Sequence, residues 1–73
     1  MSYKVYKYIR ANSKRFVGYF RTEVELIAFF SNSKEMAHNF SIMLKDKDKF
    51  SNILEVEVFI ANHGSKIAIE ETK

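Results

Sequence analysis

The chain has 73 residues, 47% hydrophobic and 29% charged, and lacks cysteine and proline. A chain this short forms one core, so we expect a single domain over residues 1–73. The missing cysteines exclude disulfides and thiol chemistry, which is typical of a reducing compartment. No stretch resembles a signal peptide or a membrane span. We therefore expect a cytoplasmic protein, and its abundance of Lys, Ile, Phe and Asn is typical of a low-GC bacterium or its phage.

Positive charge is concentrated at the N-terminus. The first 21 residues contain six basic residues and no acid, so they carry +6, whereas residues 22–51 carry −1 and residues 52–73 carry −2. Such an asymmetry is typical of proteins with an acidic partner, nucleic acid above all. It also fits two halves of one sheet that neutralise each other.

A β-hairpin is predicted at the N-terminus, because residues 3–10 and 15–21 are rich in β-branched and aromatic types and flank a polar turn. We place the turn at Asn12-Ser13, which sets Tyr6 opposite Tyr19. One predicted face holds Val5, Ile9, Phe16 and Phe20, with Lys7 over Gly18. The other holds Tyr6, Tyr8, Val17 and Tyr19, rimmed by Lys4, Arg10, Arg15 and Arg21.

Two helices are predicted next. Thr22 and Glu25 fit a capping box, which predicts a short helix over residues 23–30, although alternation there also allows a strand. Asn32 starts a second, amphipathic helix that should fade in residues 45–49. Its apolar positions are Met36, Ala37, Phe40, Met43 and Leu44, with Ile42 on the polar side.

A second hairpin is predicted at the C-terminus. Residues 53–60 alternate in hydropathy, residues 62–65 have turn composition, and residues 66–70 read as the return strand. Glu57 would then face Glu70, which requires a cation nearby. The predicted apolar face holds Leu54, Val56, Val58 and Ile60, and the outer face holds Glu55, Glu57 and Phe59.

These elements predict an α+β fold. The order hairpin, one or two helices, hairpin gives a four-stranded, mostly antiparallel sheet with the helices inserted between the hairpins and packed on one face.

The sequence lacks the residue motifs that most kinds of catalysis require. Two glycines cannot build a phosphate-binding loop, and His38 and His63 are too far apart for a short-spaced metal motif. Asp46 and Asp48 are flanked by lysines, so we interpret them as a solvated charge run. We therefore expect no enzyme activity, no metal and no cofactor.

A binding function is predicted instead, because one helix layer covers one sheet face and would leave aromatic side chains exposed on the other. We expect a small binding protein of adaptor or inhibitor type that acts on a protein partner or by self-association, for example as a homodimer, and not on a membrane. The alternative is nucleic-acid binding by the basic, tyrosine-rich hairpin. The predicted partner-binding residues are Tyr6, Tyr8, Arg10, Arg15, Val17, Tyr19, Arg21 and Phe59.

Overall fold

The computed structural model describes residues 1–45, 49–63 and 66–73. The elements of the described chain are β1 (Ser2–Arg10), β2 (Ser13–Phe20), α1 (Glu23–Phe30), α2 (Ser33–Phe40), α3 (Ile53–Asn62) and β3 (Ile67–Thr72). The strands form one antiparallel sheet in the order β2-β1-β3. The fold is α+β as predicted, but the described chain has three strands and three helices, so the prediction of a four-stranded sheet made of two hairpins is wrong.

The N-terminal hairpin exists, but its register differs from the predicted one. Arg10 pairs with Ser13, so the turn lies at residues 11–12, one position earlier than predicted. The pairing is also irregular between Val5 and Tyr6, where Tyr6 pairs with Phe16 and leaves Val17 as an extra residue on β2. Because successive side chains point to opposite faces, this bulge moves Phe16 from the predicted inner face to the outer one.

Gly18 occupies the inner face opposite Val5. A Cβ atom at Gly18 would lie 3.1 Å from the ring of Phe20, so the glycine leaves room for that ring to fold over the strand. The ring of Phe20 then meets that of Phe29 on α1, with centroids 4.9 Å apart. Phe20, rather than the predicted stem of Lys7, thus covers this glycine.

Helix α1 matches the prediction for residues 23–30. The Thr22 hydroxyl accepts a hydrogen bond from the backbone N–H of Glu25 at 3.2 Å, and the Glu25 carboxylate accepts one from the N–H of Arg21 at 3.1 Å. The first bond satisfies a donor that a helix start leaves open, and the second ties the Glu25 carboxylate to the residue before the N-cap. The strand alternative for this segment is therefore wrong.

Helix α2 begins as predicted and ends early. The Asn32 side chain accepts hydrogen bonds from the N–H groups of Lys34 and Glu35, which is an N-cap. Ser41 adopts a left-handed conformation with φ 58°, so the helix stops at Phe40 rather than near residue 45. Met43, predicted on the apolar face, is consequently exposed.

Helix α3 replaces the predicted third strand. The Asn52 side chain accepts from the N–H of Glu55 at 3.0 Å, and the Glu55 carboxylate accepts from the N–H of Ser51. A second carboxylate, that of Glu23 at the start of α1, accepts from the N–H of Ile53 at 3.1 Å. Three donors at the helix start are thereby satisfied, one of them by a residue 30 positions away in the sequence.

The strand prediction for this segment is wrong because its apolar residues fit both the two-residue period of a strand and the 3.6-residue period of a helix. Val56, Phe59 and Ile60 lie on one side of α3 and are buried, whereas Leu54 and Val58, predicted in the core, are 67% and 61% exposed. β3 therefore has no partner in residues 53–60 and pairs with β1 instead. Glu57 does not face Glu70 across a ladder, because Glu57 is an exposed residue of α3.

The core lies between the sheet and the three helices. Phe30 of α1 and Phe40 of α2 stack almost parallel, and Tyr3 is buried with them. Burial raises the pKa of the Tyr3 phenol, and the carboxylates of Glu71 and Glu23 raise it further. The buried cluster is Tyr3, Val5, Leu26, Phe30, Met36, Phe40, Val56, Phe59, Ile60 and Ile67.

None of the helices in the described ranges is both long and apolar enough to cross a membrane. The predicted charge run at Asp46 and Asp48 and the predicted turn residues Gly64 and Ser65 lie outside the described residues.

Candidate binding surface

One face of the sheet carries exposed aromatic side chains. On β1, Tyr3 and Val5 point into the core, so the alternate residues Tyr6 and Tyr8 point the other way. No described element is buried against this outer face, since the core cluster draws on the inner residues of the strands. We call the outward side chains Tyr6, Tyr8, Phe16 and Tyr19 the aromatic face.

The aromatic face is accessible along both strands of the hairpin. Tyr8, Phe16 and Tyr19 are 40%, 55% and 51% exposed, and Tyr6 between them is half-buried. Monomeric proteins seldom leave contiguous apolar surface of this kind without a use. Phe16 was missed in the sequence, because only the bulge at Val17 brings it to this side.

Two residues predicted for this patch lie elsewhere. Val17 is half-buried and packs against the core. Phe59 is 7% exposed on α3, where its ring packs against those of Phe50 and His63. The expectation that these two side chains are exposed on the sheet is wrong, because it assumed the regular register and a strand at residues 53–60.

The centre of the aromatic face is already organised by contacts within the chain. The ring of Tyr6 meets that of Phe16 edge to face at 5.7 Å between centroids. The Lys14 ammonium lies 4.3 Å from the Tyr6 ring centroid and 3.7 Å from a carboxylate oxygen of Glu70. Lys14 therefore bridges the two edge strands across the central strand and occupies the position over the Tyr6 ring.

Part of the N-terminal positive charge is neutralised by the C-terminal strand. Glu70 pairs in register with Lys4 and forms the ion pair with Lys14, as expected if two parts of one sheet compensate each other. This leaves the aromatic face with lysines and a carboxylate together, rather than with positive charge alone.

A second surface lies at the turn end of the hairpin. The pairing of β1 with β3 ends at Lys7 and Ile67. Residues 8–15 extend beyond this pair, and all eight of these residues are exposed. We call these residues the arm. Beside it is an open groove of about 760 Å³, the basic cleft, lined by Lys7, Tyr8, Ile9, Arg10, Ala11, Arg15 and Lys66.

The basic cleft combines predicted and unpredicted cations. Arg10 and Arg15 were predicted as binding residues. Lys66, which directly precedes β3, comes close only because β3 pairs with β1. The backbone N–H of Tyr8 donates to the carbonyl of Lys66 at 2.8 Å, which fixes this position. Arg21, also predicted, lies apart from the cleft, at the start of α1.

Neither histidine belongs to these surfaces. His38 is exposed on α2, and the His63 ring lies 4.1 Å from that of Phe59, with Nδ1 2.9 Å from the Phe59 carbonyl oxygen. Among the residues that the structure describes, no group of three His, Asp or Glu side chains is arranged to hold a metal ion.

Comparisons with protein-family models, with curated proteins and with solved structures found no match. A functional proposal for this chain therefore depends on its own surface.

Proposed function

We propose that the protein is a small non-enzymatic binding protein, of adaptor or inhibitor type, whose aromatic face docks on a protein partner, either a larger protein or a second copy of the chain. The observation that carries the proposal is a sheet face that no described element covers and on which Tyr8, Phe16 and Tyr19 are exposed. Tyrosine is enriched among the residues that dominate binding energy at protein interfaces.

The contacts on this face favour a protein over stacked nucleobases. A base needs a free ring face to stack on, and the Lys14 ammonium already lies over one face of the Tyr6 ring. The Glu70 carboxylate, which is paired with Lys14, would also repel the phosphates of a nucleic acid at this face. A protein surface can satisfy an aromatic cluster, a lysine and a carboxylate together.

Self-association is tested first, with the purified protein alone. Sedimentation equilibrium should show a concentration-dependent dimer if the partner is a second copy. The double variant Phe16→Ala/Tyr19→Ala removes two exposed rings and should leave a folded monomer. The matched control is Leu54→Ala, which removes an exposed apolar side chain from α3.

A larger partner is tested by affinity capture from nuclease-treated host lysate, followed by rebinding of the purified candidate. We expect Phe16→Ala/Tyr19→Ala to weaken rebinding at least about tenfold, since each hot-spot residue contributes about 1 to 2 kcal/mol or more. The control Leu54→Ala should bind within about twofold of wild type. Equal binding by wild type and the double variant would contradict the proposal, and loss only in Leu54→Ala would move the site to α3.

A further inference from the structure

The basic cleft differs chemically from the aromatic face. Four basic side chains line it, and none of the described residues around it is acidic: Lys7, Arg10, Arg15 and Lys66. Among the described residues, no carboxylate forms an ion pair with any of these four cations. An uncompensated cluster of this kind attracts anions.

The shape of the basic cleft fits an extended anion better than a small one. The cleft is open, and a volume of about 760 Å³ is far larger than one phosphate group needs. Lys7 and Arg10 lie on β1, Arg15 lies on β2 and Lys66 directly precedes β3. The four cations are therefore spread over a surface and do not come from one loop. A polymer with regularly repeated negative charge fits this arrangement better than a single small anion.

The arm adds a shape argument. It is a two-stranded ribbon whose residues 8–15 are all exposed, and it extends beyond the sheet at the same end as the cleft. The major groove of B-form DNA, about 12 Å wide, admits a two-stranded β-ribbon. Ile9, 57% exposed between the cations, offers an apolar contact for base edges or sugars in such a groove.

We infer that the arm and the basic cleft bind duplex DNA, with Lys7, Arg10, Arg15 and Lys66 contacting backbone phosphates. The arm and the cleft share Tyr8 with the aromatic face, but none of the four cations belongs to that face, so the inference does not rest on the proposed protein partner. A chain with both surfaces would join a protein to DNA.

The test is fluorescence anisotropy of a labelled duplex of about 20 base pairs between about 50 and about 200 mM salt. Wild type should bind with an affinity that falls steeply with salt. Arg10→Ala/Arg15→Ala should weaken binding about tenfold or more and reduce the slope of log K against log salt by about two. Lys66→Ala should reduce this slope by about one, because it removes the one phosphate contact made by the residue before β3.

The matched control is Lys34→Ala/Lys49→Ala, which removes the same charge from exposed positions outside the cleft. An equal loss of affinity in this control would show that only net charge matters and would overturn the inference. Competition by a polyglutamate peptide as effective as that by unlabelled duplex would assign the cleft to an acidic protein segment instead. Tighter binding of a single strand than of the duplex would contradict insertion of the arm into a groove.

The variant Phe16→Ala/Tyr19→Ala separates the two proposals, because it changes the aromatic face and spares the cleft. It should bind the duplex as wild type does. Thermal melting followed by circular dichroism should show that all variants are folded, since the altered side chains are exposed.

Discussion

The two faces of the sheet have similar residue types and opposite environments. On β1, Tyr3 and Val5 are buried under the helices, while Tyr6 and Tyr8, at alternate positions of the strand, point away from them. The hydrophobic residues on the outer face thus contribute little to the core, although the sequence gives them the same hydropathy. The difference shows that the alternation of a strand and the placement of one helix layer decide burial. We therefore expect the aromatic face to contribute little to stability.

The largest expected effect is a loss of stability, which differs between two phenylalanines, one in the core and one on the aromatic face. Phe30→Ala removes a fully buried ring and should lower the free energy of unfolding by about 3 to 5 kcal/mol, because a cavity is left in the core. Phe16→Ala, on the aromatic face, should cost less than about 1 kcal/mol. Urea denaturation measures the free energy of unfolding of both variants. Phe30→Leu replaces Phe30→Ala in this comparison if the alanine variant does not fold. Equal losses would show that the outer face is part of the core.

The second expected effect concerns the buried Tyr3 at alkaline pH. The raised pKa of Tyr3 means that the folded state holds its phenol proton more tightly than the unfolded chain does. The associated stability is therefore complete below about pH 10 and is lost as the pH rises through the folded-state pKa. Tyr3→Phe should flatten the fall in stability above about pH 10, measured by urea titration.

The smallest expected effect concerns Lys14 and Glu70. Both side chains are close to half exposed, so their ion pair should contribute only about 0.2 to 1 kcal/mol. A double-mutant cycle with Lys14→Ala and Glu70→Ala measures this coupling, and added salt should reduce it. A coupling well above that range would indicate that the centre of the aromatic face is more rigid than its exposure implies.

The candidate surfaces were partly predictable from the sequence. Tyr6, Tyr8 and Tyr19 were placed on the outer face by alternation alone, and the basic character of the hairpin was visible from its composition. Phe16 could not be placed, because a bulge has no clear signature in a regular alternating pattern. Lys66 could not be assigned to the cleft either, because its position depends on which strand β3 pairs with.

The sequence by itself determined the local elements: the first hairpin, the capped start of α1 and the start of α2, all of which depend on residues within a few positions of each other. Only the tertiary structure decided whether residues 53–60 form a strand or a helix. Their hydropathy fits a strand and a helix equally. The only local indication of a helix start is the N-cap pattern formed by two residues, Asn52 and Glu55. Burial of Val56, Phe59 and Ile60 and the hydrogen bond from Ile53 to Glu23 favour the helix. These interactions join distant segments, so they exist only once the chain has folded.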